Sequence, residues 1–208
     1  MLRLLLPSLL LLSCGRDYGN LQQPSKLSGT SPAAYLARFD TTQGPFTIEV
    51  HRQWSPLGAD RFYQLVNAGF YDGTRFFRTM PKFVVQWGIN PNPLVSQAWK
   101  HGTAIKDDPV LQSNLRGFVS FATDGPDTRT TQIYVNMADN ARLDARGFSP
   151  FGKVSSGMEV FSKLYADYGE GPPKGTGADQ DKIEAEGDAY LVKDFPRLDK
   201  VIKAQIVK

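Results

Sequence analysis

Alternating apolar and polar positions mark the first two predicted strands of the chain. The apolar residues are Tyr35, Ala37 and Phe39 in the first stretch and Phe46, Ile48 and Val50 in the second. Because successive residues of a strand point to opposite faces, each apolar set lies on one face of its strand. Residues 41–44, Thr-Thr-Gln-Gly, separate the two stretches and are typical of a hairpin turn. The pattern therefore predicts an antiparallel β-hairpin.

A change to helical spacing follows this hairpin. Ser55 is suited to cap the start of a helix, Pro56 to its first turn, and Gly69 to its end. Between them, apolar residues recur three and four positions apart, at Ala59, Phe62, Leu65 and Val66. We therefore predict an amphipathic helix that packs one face on a core.

Short strand patterns dominate the remainder of the chain. Two strands joined at residues 80–82 occupy 76–88, and others fall at 117–123, 132–136, 148–155 and 202–206. Residues 90–115 have a loop-like composition, a second helix begins at Gly157, and short helical turns fit 179–186 and 188–195. This count gives seven or eight strands and two substantial helices, without regular βαβ alternation. We therefore predict a mainly β fold, a closed antiparallel barrel with helical plugs.

Length, composition and charge narrow the class of protein. The chain has 208 residues, of which 41% are hydrophobic, so one domain with an ample core is expected. The net charge of +3 is small and both signs are scattered, which argues against nucleic acid as the main partner. Two histidines far apart favour neither a histidine metal site nor a triad, and one cysteine excludes an intrachain disulfide framework.

The first residues resemble a targeting segment. Arg3 provides a short positive region, and the apolar run after it is too short to span a bilayer. Residues 11–15, Leu-Leu-Ser-Cys-Gly, resemble a bacterial lipoprotein box in which the cysteine is lipidated. We expect a signal peptide at 1–13 and lipidation of Cys14. An ordinary signal peptide with a chance cysteine is the alternative.

The expected domain organisation follows from that segment. The polar composition of residues 14–33, rich in Gly, Asn, Gln, Ser and Pro, predicts a flexible tether after the lipidated Cys14. Residues 34–208 would then form the folded catalytic domain. The protein would be exported and anchored by lipid to the cell envelope, on the periplasmic or extracellular side of a bacterial membrane.

Two polar side chains stand out in the apolar segment 76–88. Alternation places Gln86 on one face of the second strand with Val84, and places Phe83 on the opposite face. Arg78 has apolar neighbours on both sides, and a guanidinium is seldom buried without a partner. Arg78 therefore either reaches the rim of the sheet or lines a groove in which its donors have a target.

Three ordered blocks resemble the cyclophilin family. The first is FFRTMPKFVVQWG at 76–88, in which Arg78, Phe83, Gln86 and Gly88 are in register with the family signature. The second is GFVSFATDGPDTRTTQIYVN at 117–136. The third comprises residues 143–144, Leu-Asp, and 151–154, Phe-Gly-Lys-Val. The resemblance extends over residues 35–164, about two thirds of the chain.

The resemblance implies an eight-stranded barrel capped by two helices, and isomerisation of Xaa-Pro peptide bonds without cofactor or metal. The substrates would be proline-containing polypeptides, and nothing demands more than a monomer. Arg78 would donate to the prolyl segment, and Gln86 would orient both Arg78 and the substrate carbonyl. The substrate-binding residues implied by the resemblance are Phe83, Val84, Ala122, Thr123, Gln132, Tyr134, Leu143 and Phe148.

Two other classes of function compete with this interpretation. The first is a low-activity module that binds proline-containing peptides as a chaperone or envelope scaffold. The altered groove rim motivates it: Thr123 replaces a common Asn, Arg142 stands where many members have Trp, and Phe148 lies near a usual His. Retention of Arg78 and Gln86 argues against it. The second class, a hydrolase, has almost no support, because no His-Ser-acid or paired-carboxylate spacing occurs.

Overall fold

The computed structural model describes residues 19–100 and 102–207. The predicted signal peptide and the predicted lipidation of Cys14 lie outside these residues. The strands are β1 Ala34–Thr41, β2 Gly44–His51, β3 Arg78–Thr79, β4 Val84–Trp87, β5 Phe118–Phe121, β6 Ile133–Asn136, β7 Pro150–Ser156 and β8 Val201–Val207. The α-helices are α1 Pro56–Asn67, α2 Pro93–Lys100, α3 Gln180–Glu186 and α4 Asp188–Asp194. Short 3₁₀ helices occupy Pro24–Lys26, Arg52–Trp54, Ala141–Arg146 and Met158–Ser162.

The eight strands form one antiparallel sheet in the order β3-β4-β6-β5-β7-β2-β1-β8. The prediction of eight antiparallel strands is confirmed, but the prediction of a closed barrel is wrong. The end strands β3 and β8 share no ladder among the described residues, and the two residues of β3 pair with β4. One isolated bridge between Arg75 and Lys200, with backbone hydrogen bonds between residues 73–76 and 199–201, joins that side. The result is a curled half-barrel with an open seam.

Aromatic side chains fill the interior of the curled sheet. The rings of Phe39 and Phe46, from β1 and β2, stack with centroids 4.9 Å apart. Phe62 of α1 contacts Phe39 and the Phe151 ring of β7, at 6.1 and 4.9 Å between centroids. The predicted apolar face of α1 is buried as expected. The first hairpin, the first helix and the core side of each are therefore confirmed.

Two helical segments beyond α1 differ from the sequence expectation. The predicted helix after Gly157 is a 3₁₀ turn, although its residues Val160 and Phe161 are buried in the core as expected. A helix, α2, occurs inside the segment predicted as loop. It begins at Pro93, where a proline suits the first turn, and it buries Val95 and Trp99, which are four residues apart. The short helical turns predicted at 179–186 and 188–195 are confirmed as α3 and α4.

The N-terminus of α1 is capped from a distance. The side chain of Ser55 makes no cap bond to the helix and instead donates to Asp108 Oδ2 at 2.6 Å. Asp108 accepts the backbone N–H of Leu57 at 3.1 Å and of Gly58 at 2.9 Å. The buried Arg129 donates to the same carboxylate at 3.1 Å. A carboxylate from the segment predicted as loop thus serves the free donors of the first turn.

The described part of the predicted tether contacts the domain. Leu21 is buried, and its carbonyl accepts a hydrogen bond of 2.8 Å from the indole of Trp99. Ser31 donates to Asp60 through its backbone N–H at 2.9 Å and its hydroxyl at 2.8 Å. These residues therefore differ from a flexible tether. Within the described residues, no helix has the length and apolarity needed to cross a bilayer.

Candidate functional site

One groove brings together all ten residues that the sequence indicated for catalysis and substrate binding. It has a volume of about 490 Å³ and lies at the side of the sheet where β3, β4 and β6 pair. Its predicted members are Arg78, Phe83, Val84, Gln86, Ala122, Thr123, Gln132, Tyr134, Leu143 and Phe148. The structure places these residues together, and the role of each stays a prediction.

Strand register places the polar residues of the groove in a row. Arg78 of β3 pairs with Gln86 of β4, and Gln86 pairs with Tyr134 of β6. Arg78 Nη1 donates to Gln86 Oε1 at 3.1 Å, and Gln86 Nε2 donates to Gln132 Oε1 at 2.8 Å. The Gln86 amide therefore connects the arginine to the second sequence block. Its orientation is fixed because it has a partner at both ends.

Alternation along β4 separates the groove from the core. Val84 and Gln86 line the groove, whereas Val85 and Trp87 are fully buried in the main core. Phe83 also lines the groove, although alternation predicted it on the core face. The reason is that β4 begins at Val84, so Phe83 still belongs to the turn, with its N–H donating to the carbonyl of Met80.

An apolar wall lines the groove beside the polar row. Val84, Tyr134 and Leu143 form a buried cluster of their own, against which Phe83, Ala122 and Phe148 pack. Tyr134 and Phe148 meet edge to face with ring centroids 5.8 Å apart. Burial raises the pKa of the Tyr134 phenol well above its usual value, so this side chain is neutral and donates a hydrogen bond. This apolar wall is complementary to a small apolar ring.

Asn114 supports this wall and was missed in the sequence, where residues 90–115 had a loop-like pattern. Its Oδ1 accepts from the Tyr134 hydroxyl at 3.0 Å and from Ser120 Oγ at 2.9 Å. Its Nδ2 donates to Asp144 Oδ1 and to the carbonyl of Phe148, both at 2.8 Å. Burial favours a higher pKa for Asp144, but hydrogen bonds to its carboxylate outweigh burial and lower that pKa. No sequence periodicity marks such a residue, because its partners come from four segments.

Two arginines stand on the rim of the groove. The guanidinium carbon of Arg142 lies 4.9 Å from the centroid of the Phe83 ring, and that of Arg146 lies 5.5 Å from the centroid of the Phe148 ring. Arg142 therefore lies at the groove, as the sequence suggested. It occupies the position where many members of the resembled family have Trp. Stacked cations supply flat surface as well as positive charge at this rim.

A residue that the sequence did not single out completes the surroundings of Arg78. Glu170, from the Gly- and Pro-rich stretch 169–177, accepts from Arg78 Nε at 2.7 Å through Oε1 and from Nη2 at 2.6 Å through Oε2. Arg78 is thus neither at a free rim nor unpaired. Among the residues that the structure describes, no group of three His, Cys, Asp or Glu side chains has the arrangement of a metal site.

Comparisons with known proteins agree with this fold and groove. Residues 36–185 match the model of the family described as cyclophilin type peptidyl-prolyl cis-trans isomerase. The peptidyl-prolyl cis-trans isomerase A of Dickeya dadantii is 38% identical over 129 residues, covering 60% of this chain and 67% of that protein. A peptidyl-prolyl cis-trans isomerase of Acinetobacter baylyi is 33% identical over 144 residues, covering 66% and 76% respectively.

A solved structure shows the same fold at lower sequence identity. The crystal structure of a cyclophilin type peptidyl-prolyl cis-trans isomerase from Cryptosporidium parvum superposes with a TM-score of 0.59 at 19% identity. The match covers 84% of this chain and 98% of that one, and it shows the fold alone.

The family match extends over more than half of the chain, and the relatives above are 38% and 33% identical to it over the aligned residues. The chain therefore belongs to the cyclophilin type family of peptidyl-prolyl cis-trans isomerases. Its activity is isomerisation of the peptide bond that precedes proline in polypeptides.

Proposed function

We propose that this isomerisation takes place in the groove described above, with Arg78 as the donor to the substrate. The observation that carries the proposal is the position of Arg78 beside an apolar wall. Its guanidinium carbon lies 5.3 Å from the centroid of the Phe83 ring, at one side of the cluster formed by Val84, Tyr134 and Leu143. A proline ring on that wall brings its own nitrogen near a planar set of N–H donors.

The chemistry requires no bond to break. Rotation about a peptide bond faces a barrier of about 18–20 kcal/mol, because the nitrogen shares its lone pair with the carbonyl. During rotation the nitrogen becomes pyramidal and its lone pair localises. A donor aimed at that lone pair stabilises the twisted state more than the planar one, which lowers the barrier. Arg78 fits this role because its charge and its fork of donors are fixed in direction.

The other groove residues hold the substrate while it turns. The apolar wall formed by Val84, Tyr134 and Leu143 suits the proline ring, since a saturated ring gains from leaving water. Gln86, fixed between Arg78 and Gln132, suits a polar group of the peptide on the other side of the rotating bond. Rotation needs one half of the bond held and the other half free, and the groove offers both kinds of surface.

Solution NMR tests this assignment. Addition of an Xaa-Pro peptide to the labelled protein is expected to shift the amide resonances of groove residues such as Val84, Ala122 and Leu143. Exchange cross-peaks between the cis and trans forms of the peptide should appear at the same time. Shifts confined to a face away from the groove would contradict the assignment. Shifts without exchange cross-peaks would favour the alternative of a low-activity peptide-binding module.

For the cellular setting, we propose an exported lipoprotein that assists folding outside the cytoplasm and acts there as a monomer on proline-containing chains. The support lies in the sequence: a positive residue, a short apolar run, and the single cysteine of the chain at the position that a lipoprotein box requires. Acylation of Cys14 with two or more chains would give stable membrane attachment.

Replacement of Cys14 tests the anchor. In a bacterial host, Cys14→Ser is expected to move the full-length protein from the membrane fraction to the soluble fraction and to remove the mass of the acyl chains. Ser13→Ala, which keeps the cysteine, is the matched control and should stay with the membrane. Persistent membrane association of Cys14→Ser without a lipid mass would count against lipidation.

A further inference from the structure

The Gly- and Pro-rich stretch 169–177 has no role in the assignment above, yet it reaches the centre of the groove. Its residue Glu170 is 92 positions from Arg78 along the chain and forms two parallel hydrogen bonds with the side of that guanidinium. The two side chains are 24% and 21% exposed, so this contact is largely withdrawn from water. Bidentate contacts of this kind are directional as well as strong.

The backbone of this stretch is built around Glu170. The N–H of Gly177 donates to the carbonyl of Glu170 at 2.8 Å, and a Cβ on Gly175 would overlap that same carbonyl. A Cβ on Gly171 would lie 2.6 Å from the carbonyl oxygen of Ala178. A side chain at either glycine therefore requires the backbone to move. The glycines allow the loop to close tightly on the residue that carries the carboxylate.

The contact with Glu170 leaves some N–H donors of Arg78 unoccupied. A guanidinium has five N–H groups, and Glu170 occupies one on Nε and one on Nη2, while Gln86 occupies one on Nη1. Each terminal nitrogen retains one N–H that no described protein group accepts. The carboxylate thus binds one edge of the guanidinium and leaves the donors that a peptide needs unoccupied.

We propose that Glu170 is the positioning residue of Arg78, an inference that rests on the proposed role of Arg78 as donor. Glu170 and Gln86 fix the guanidinium plane before substrate arrives. An unheld arginine would lose its large rotamer freedom at the moment of reaction, and a misdirected donor stabilises the twisted peptide less well. Glu170 acts through Arg78 and touches no reacting atom.

Glu170→Gln tests the proposal, because it keeps the size of the side chain and removes its charge. We expect kcat, measured by NMR exchange at saturating peptide, to fall about tenfold, with KM changed by less than about twofold. Glu186→Gln is the matched control, since Glu186 is exposed on the surface and lies in the same C-terminal region. It should leave both constants unchanged.

A double variant separates positioning from a structural role. In an Arg78→Ala background, Glu170→Gln is expected to change the residual rate by less than about twofold, because the group it acts through is gone. A tenfold loss in that background would show that Glu170 acts on the loop or the fold, and would overturn the proposal. Full activity of Arg78→Ala would instead contradict the proposed function itself.

The Arg78 Nε–H group gives a direct readout of the contact with Glu170. In the parent protein, the Arg78 Nε–H resonance should be protected from solvent exchange, and Gly175→Ala, which displaces the loop, should remove that protection and lower kcat. An unprotected Arg78 Nε–H in the parent would overturn the proposal. So would a Glu170→Gln variant that is as fast as the parent or faster, since the contact would then be neutral or inhibitory.

Discussion

Arg78→Ala is expected to slow isomerisation by about 100-fold to 1000-fold, the loss typical of removing one donor aimed at a transition state. The substitution removes the only cation that lies both on the Gln86–Gln132 row and against Phe83 in the described groove. Arg78→Lys should retain the charge but lose the planar fork, and we expect its rate to lie between those of the parent and Arg78→Ala. A protease-coupled assay on an Xaa-Pro peptide measures all three rates.

The control for this prediction is Arg38→Ala. Arg38 lies on the exposed face of β1, pairs with Asp40, and has no contact with the groove. Its rate should equal that of the parent. A rate for Arg78→Ala within about threefold of the parent would show that the donor to the substrate lies elsewhere. The hydrogen bonds of Arg78 would then stabilise the fold alone.

Asp108→Ala should cost about 3 kcal/mol in the free energy of unfolding, near the lower end of the range for breaking a buried ion pair. The change leaves Arg129, which is 2% exposed, without its closest carboxylate and leaves two N–H groups of α1 without an acceptor. The neighbouring Asp107 keeps one oxygen 3.3 Å from Arg129 Nε, which limits the loss. Small domains have unfolding free energies of only about 5–15 kcal/mol, so the fraction lost is large.

Urea denaturation measures this loss. Asp167→Ala is the control, because Asp167 is exposed and forms no hydrogen bond or ion pair among the described residues, and its effect should stay within about 0.5 kcal/mol. The double variant with Arg129→Ala should lose less than the sum of the two single variants, since the two side chains act as a pair. Additive losses would mean that the pair contributes nothing as a unit.

Elements whose residues contact near neighbours in sequence were predictable. The hairpin of β1 and β2, the buried face of α1 and the inward Val85 and Trp87 follow from alternation or helical spacing, because each pattern reflects a single local geometry. The ten groove residues were found by another route, through resemblance to a family signature. The alternation of residues 84–87 then explains why part of that signature faces the groove.

Elements that depend on distant partners were not predictable. Ser55 has the residue type of a helix cap, but Asp108 serves the helix instead, from a segment that has no strand or helix pattern. The sheet stays open between its end strands β3 and β8. Whether two edge strands meet depends on their placement in three dimensions, which no local pattern encodes. Phe83 turns to the groove because strand β4 starts one residue later than alternation alone suggested.

By itself, the sequence determined the mainly β fold, the antiparallel hairpins, and the identity of Arg78, Gln86 and the apolar residues around them. Local periodicity is sufficient for the strands and hairpins, whereas resemblance to the family signature identified the groove residues. Only the tertiary structure decided what holds Arg78, since its partner Glu170 is 92 positions away and lies in a stretch without periodicity. It also decided that Asn114 joins the wall of the groove. A polar contact between distant segments depends on the geometry of the whole sheet, and no local pattern encodes it.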